Sequence, residues 1–314
     1  MSKLRKAAGI LKNAARVTSR FGLGFGAPTL GRSVLPRSSE MWRRTEKRLN
    51  TKAKAFLDRK VFDPSFFAPE DHSTPIGKGC YLFMFWAQGI DQAPMVIQKC
   101  YKALQKNCGG CHPVLITLDN VREWVTLDPI IWQRLEAGDM DLTHFSDVLR
   151  YRLLLEHGGI WLDATMLLIR PFPEEILDWS FWDVHHGQGA DWVAGGGRWM
   201  TCFMGMGKGS PLANYCYRMH VAFWEKYDTV LCYSIPDVFL EEAWDRLPAA
   251  RRLLEAVPLN NTGTFELLDA IFSPFSQEQW ERMCRDNFVL RLTYKMRPGT
   301  GENTFYSFVA GMEF

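Results

Sequence analysis

The clearest hydrophobic pattern along the chain is Tyr81-Leu82-Phe83-Met84-Phe85-Trp86. It is apolar at every position, as in a strand covered on both faces within a parallel sheet. A helical pattern follows near Pro94–Gln105, and Val114–Leu118 is a second strand, closed by Asp119 and Asn120. Pro129–Glu136 reads as a helix. A stronger helix, capped by Thr143 or Ser146, runs to His157 and stops at Gly158-Gly159, where glycine allows the left-handed backbone that ends helices. Ile160-Trp161-Leu162 is the next strand, with Asp163 at its carboxyl end. Strands alternating with helices predict an α/β domain over residues 75–314 with a mostly parallel central sheet.

Before residue 60 the pattern differs. Leu4, Ala7, Ala8, Leu11, Ala14 and Ala15 recur at helical spacing among Lys and Arg, which predicts a short amphipathic helix. Phe21–Arg37, rich in Gly, Pro and Ser, reads as a linker. Glu40–Arg59 reads as a second, highly charged helix. Residues 1–60 are accordingly assigned to a basic helical or disordered N-terminal arm, and the domain behind it is expected to fold without it. No run approaches the roughly eighteen apolar residues of a membrane-spanning helix.

With 314 residues at 47% hydrophobic, the chain has ample material for a core. The formal net charge of +2 conceals an asymmetry. Residues 1–60 hold sixteen Lys and Arg against Glu40, Glu46 and Asp58, whereas the remainder is net acidic. This split predicts contact with an anionic surface, and the plainer alternative is a solvated basic tail. The acidic body and the lack of any recognisable module argue against nucleic acid. An amphipathic helix on anionic lipid would make the chain peripheral on the cytoplasmic face of a membrane. The eight cysteines are scattered through a large domain, which suits reduced thiols in the cytoplasm. Cys108 and Cys111 have the spacing of half a zinc site, but no second half accompanies them, and a turn is expected.

Chemistry concentrates between Ser146 and Thr165. Asp147 and Arg150 stand three apart on a predicted helix and share a face. Asp163 lies beyond the strand that this helix feeds, where ligands of open α/β sheets bind. Separately these residues read as an ordinary intrahelical ion pair and a turn residue. Together, Ser146-Asp147, Arg150, Gly158-Gly159-Ile160-Trp161-Leu162 and Asp163-Ala164-Thr165 resemble the signature of DXD-type sugar transferases, and most closely that of the capsular polysaccharide synthesis glycosyltransferases. Phe85-Trp86 with Gly89, Ala93-Pro94, Trp199 with Gly209-Ser210-Pro211-Leu212, and Leu292-Thr293-Tyr294-Lys295 extend the resemblance over residues 79–295.

The resemblance implies a GT-A fold, a nucleotide-sugar donor such as a UDP- or GDP-sugar, an oligo- or polysaccharide acceptor, and transfer that retains anomeric configuration. By it, Asp147 and Arg150 would hold hydroxyls of the donor sugar. Asp163, assisted by Thr165, would bind Mn²⁺ or Mg²⁺ against the diphosphate. Trp86 would lie near the base, or else be a core aromatic. Lys295 or Arg297 could supply a second positive charge, or be solvated. Thr165 stands where the DXD pattern has its second acid, a feature shared with the capsular branch, whose tail often reads Asp-Ala-Thr, and a hydroxyl is the weaker ligand. That departure leaves a second reading, a catalytically weak sugar- or nucleotide-binding module docked through its basic arm. Asp183-Val184-His185-His186 is not taken as a metal site, because adjacent strand residues face opposite ways.

Overall fold

The computed structural model describes residues 3–68, 74–187, 192–295 and 302–313. Three helices open the chain: α1 (Lys3–Phe21), α2 (Leu23–Val34) and α3 (Glu40–Lys60). The α/β part follows with β1 (Tyr81–Phe85), α4 (Met95–Lys106), β2 (His112–Ile116), α5 (Val121–Trp124), α6 (Pro129–Glu136), α7 (Leu142–His157), β3 (Gly159–Leu162), β4 (Met166–Leu168), β5 (Phe181–Asp183) and β6 (Phe203–Met206). After it come α8 (Pro211–Lys226), α9 (Ile235–Arg246), α10 (Pro248–Ala256), α11 (Glu266–Ala270), α12 (Gln277–Asp286), β7 (Val289–Arg291) and α13 (Phe305–Gly311).

The central sheet has the order β2-β1-β3-β6-β5. β1 runs parallel to β2 on one side and to β3 on the other, with Phe83 paired to Val114 and Trp161. β6 is antiparallel to β3 and to β5, so it alone runs against the others. The mostly parallel α/β sheet is therefore as expected. Leu82, Phe83, Met84 and Ile160 are fully buried, which is why the first strand lacks an alternating pattern. A separate two-stranded sheet pairs β4 antiparallel with β7, and places Met166 opposite Arg291.

Two local expectations are corrected. α7 is capped by Asp141, whose side chain accepts from the His144 amide at 2.9 Å, so neither Thr143 nor Ser146 caps it. The stretch read as a linker is the helix α2. Its glycines serve close packing: a Cβ at Gly26 would lie 1.7 Å from Thr18 Oγ1 on α1. Without a side chain there, the two helices approach, and Phe25 joins Phe21, Phe56 and Tyr227 in a ring cluster. Tertiary packing thus overrides a composition that favours a loop.

The charged helix expected at Glu40–Arg59 is present as α3, and it is laid into the core. Leu49, Ala53 and Leu57, one turn apart on one face, are at most 1% exposed. Asn50 Nδ2 donates to Trp192 O at 3.1 Å and Asn50 Oδ1 accepts from Ser234 Oγ at 2.7 Å. Leu49 and Leu57 of this helix belong to the same buried cluster as Leu82 and Phe83 of β1. Several basic side chains of these helices meet acids of the body: Arg16 meets Asp139, Arg20 meets Asp228, and Lys54 meets Asp245 and Glu241. Among the described residues no helix is long and apolar enough to cross a membrane.

Candidate functional site

The site lies past the carboxyl ends of the neighbouring strands β1 and β3. The turn from α7 into β3 requires Gly158 and Gly159, which have φ of +68° and +109°. A Cβ on Gly158 would lie 2.6 Å from the Lys208 amide nitrogen, and one on Gly159 2.4 Å from Tyr81 O. That tight passage sets β3 beside β1 and brings Asp163 back toward the middle of α7.

There Arg150, on the buried face of α7, holds two carboxylates. Its Nη2 is 3.2 Å from Asp147 Oδ1 and 3.0 Å from Asp163 Oδ1. The Arg150 side chain is only 3% exposed, and its Nε and Nη1 are buried with no hydrogen-bond partner among the described residues. Trp161 supports both groups: its Nε1 donates to Asp163 Oδ1 at 3.0 Å, and its ring lies 5.2 Å from the guanidinium carbon. Asp147, Arg150 and Asp163, proposed from sequence, thus form one cluster.

A fourth member was not anticipated. Arg291 Nη1 donates to Asp163 Oδ2 at 3.1 Å. It arrives through the pairing of β4 with β7 and the bond from the Leu292 amide to Thr165 O at 2.8 Å. The sequence signal that could have found it was faint, a three-residue apolar run ending in arginine just before Leu292-Thr293-Tyr294-Lys295. Asp237, in the first turn of α9, also feels this cluster. Burial pushes its carboxyl up to about 7, with the negative charge of Asp147 acting in the same direction.

The charges have unequal surroundings. Burial lifts the Asp147 carboxyl to about 6 against the pull of Arg150 and His144. Burial would lift Asp163 as well, but Arg150, Arg291 and the Trp161 indole outweigh it and hold that carboxyl below its usual value. Asp163 is thus the firmly ionised member, and Asp147 the one that titrates nearer neutrality.

Trp86 follows β1 at the same edge. Its ring stands edge-on to Tyr294 at 5.4 Å, and its Nε1 is buried without a partner among the described residues. Lys295 is exposed, with Nζ 5.7 Å from the Tyr294 ring centre. Trp86 and Lys295 are therefore linked through Tyr294. Arg297 lies outside the described residues. The histidines set aside earlier stay apart from this site: His185 Nδ1 is 3.0 Å from Val257 O, and the buried Asp183 accepts from the Met200 amide. The expected turn at 108–111 is present, closed by the bond from the Cys111 amide to Cys108 O.

The divalent ion expected at Asp163 and Thr165 can be tested against the donors on hand. A hard cation gathers several oxygen ligands. Asp163 already gives Oδ1 to Arg150 and Trp161, and Oδ2 to Arg291. Thr165 is buried, 8% exposed. A metal on Oδ2 would have to displace Arg291 and would then sit beside two guanidinium groups. As arranged, this donor set does not fit a divalent ion.

Carboxylates and guanidiniums are thus gathered at the carboxyl edge of a mostly parallel α/β sheet, the edge at which open sheets of this class bind ligands. The chain belongs to the capsular polysaccharide synthesis protein family, whose profile matches residues 38–309. The match takes in α3 and every member of the cluster, and leaves out α1 and α2. Among solved structures, a chain described as PaToxG glycosyltransferase is similar at 13% identity, with a TM-score of 0.41 over 80% of this chain and 99% of that one. No curated protein matches.

Proposed function

We propose that the chain is a glycosyltransferase that moves a sugar from a nucleotide-sugar donor to a saccharide acceptor, in the making of capsular or cell-surface polysaccharide. The observation that carries this reading is the buried Asp147–Arg150–Asp163 cluster at the carboxyl edge of β3. A pure scaffold has no need for two carboxylates around a buried arginine that keeps two nitrogens unpartnered at the edge of the sheet. In transfer, the bond between sugar C1 and the phosphate oxygen breaks, and its electron pair stays on the diphosphate. The acceptor oxygen bonds to C1, and its proton passes to the departing phosphate oxygen or to solvent. Asp147 is assigned to sugar hydroxyls, because an ionised acceptor beside a fixed guanidinium orients them. Trp86 is assigned to the base, where a flat ring can stack.

Incubating the full chain with UDP-, GDP- and CMP-sugars in the absence of acceptor tests the reading. Slow release of free sugar is expected from at least one donor. Asp163→Asn should abolish it. Asp147→Asn should lower it roughly ten- to a hundred-fold, the value of a lost charged hydrogen bond, while nucleoside diphosphate still binds. If both variants release sugar at the wild-type rate, the donor assignment is wrong.

The hydroxyl at Thr165 favours a second reading, a binding module that holds a nucleotide sugar without turning it over. Donor binding by the wild type with no hydrolysis under any condition would support that module instead.

A further inference from the structure

We propose that Arg291 supplies the positive charge that meets the donor's diphosphate, so that nucleoside diphosphate binds without a divalent cation. The inference rests on the glycosyltransferase reading and concerns the same site.

Four observations lead to it. First, the carboxylate that would anchor a metal is spoken for, since both oxygens of Asp163 accept from protein donors and two of those donors are guanidiniums. Second, the two arginines are not equivalent. Arg150 is 3% exposed and locked between two acids, whereas the Arg291 side chain is 25% exposed at the mouth of the cluster. Its contacts with Asp163 and with Met166 Sδ both use Nη1. The Cys202 thiol is a further partner of this guanidinium, which offers five donors in a planar fork that matches phosphate oxygens and so keeps donors for an anion beyond these contacts.

Third, the position of Arg291 is fixed by backbone. The β4–β7 register sets it opposite Met166, three residues past Asp163, and the Leu292 amide bonds Thr165 O at 2.8 Å. A charge held in place by a sheet needs little rearrangement when the leaving group gains its negative charge, which is the condition for strong electrostatic stabilisation. Fourth, of the two cations nominated for this task from the sequence, Lys295 is exposed with Nζ 5.7 Å from the centre of the Tyr294 ring, and Arg297 lies outside the described residues. In this arrangement Asp163 is a positioning residue. It aims Arg291 and neutralises the excess charge of two guanidiniums while the site is empty.

The test is calorimetry of UDP, GDP, dTDP and ADP with the 314-residue chain, in EDTA and again with excess Mn²⁺ or Mg²⁺. At least one nucleoside diphosphate should bind in EDTA with an affinity that added metal does not raise. Arg291→Gln should weaken that binding roughly ten- to a hundred-fold, the range for charge-assisted hydrogen bonds to phosphate, and leave the parent nucleoside unaffected. Arg291→Lys should recover part of the loss, since it restores charge without the fork. The metal comparison uses the unaltered protein and stands even if Arg291→Gln fails to fold. Binding that appears only with metal, or an Arg291→Gln variant that binds like the wild type, would overturn the inference and leave the glycosyltransferase reading intact. No binding of any nucleoside diphosphate under either condition would remove both.

Discussion

Arginine and lysine meet aspartate and glutamate in two regions of this molecule. At the carboxyl edge of β3, Arg150 is 3% exposed between Asp147 and Asp163. On the face where α1 and α3 meet the body, Arg16, Arg20 and Lys54 pair with Asp139, Asp228 and Asp245 at side-chain exposures of 34%, 54% and 28%. Water competes for each charge in the second region, so a lost partner is replaced at small cost. In the first region Arg150 and Asp147, 3% and 10% exposed, have little water to take a lost partner's place, whereas Asp163, 26% exposed, also keeps Arg291. Two Arg150 nitrogens are also buried without a partner among the described residues, and the surface pairs show no comparable unspent donor. Burial together with unspent hydrogen-bonding capacity, and not the pairing of charges as such, distinguishes Arg150 from these surface pairs.

The largest effect that would sharpen this contrast is the loss of the central guanidinium. Arg150→Met fills similar space but leaves Asp147 and Asp163 facing each other without their shared partner. Breaking a buried ion pair from one side costs about 3–5 kcal/mol, and chemical denaturation should show a loss of that order. A loss below about 1 kcal/mol would place Arg150 with the surface pairs.

Much of this first region could be read from the sequence, because its signals are local. Asp147 and Arg150 are one helical turn apart, the glycine pair marks the stop, and Asp163 follows a strand of only a few residues. The partner from β7 could not be read. Arg291 lies 128 residues beyond Asp163, and only strand pairing brings the two together. The second region was misread for a related reason. Gly24, Gly26 and Pro28 suggest a loop when taken along the chain, but in the fold the missing side chain of Gly26 lets α2 settle against Thr18. The local charge excess was legible, yet part of it answers acids on the chain's own body and so is not all available to an external surface.

A smaller effect, set by pH, follows from the same burial. Asp147 is lifted to about 6 and Asp237 to about 7, against an unfolded value near 3.9. Between those values the folded chain holds protons that the unfolded chain has released. These two groups therefore make stability fall as pH rises from about 4 through about 7. Asp163, held below its usual value, acts in the opposite sense and only at acid pH: its contribution is present above the unfolded value and lost as pH falls through the folded one. The melting temperature should accordingly be higher near pH 6 than near pH 8, and Asp147→Asn should reduce that difference. An unchanged difference in Asp147→Asn would mean that this carboxyl does not titrate in the window.

The smallest effect is expected on the face of α3, and it tests whether the N-terminal helices are held by their charges. Lys54 lies between Asp245 and Glu241, a placement that looks like a deliberate clamp. Its side chain is nonetheless 28% exposed, and its carboxylate partners are 31% and 24% exposed, so solvent can take its place. Lys54→Gln should change unfolding free energy by only about 0.2–1 kcal/mol, and less at high salt. Three residues further along the same helix, Leu57 is fully buried against the body. Leu57→Ala removes its apolar surface and leaves a cavity, which costs about 2–5 kcal/mol whatever the salt. Measuring both variants by denaturation at low and high salt separates the two attachments. If Lys54→Gln proved as costly as Leu57→Ala, the basic residues of this helix would be structural after all. The expected order, with the apolar face dominant, leaves the helix's exposed cations free to change with little effect on the fold.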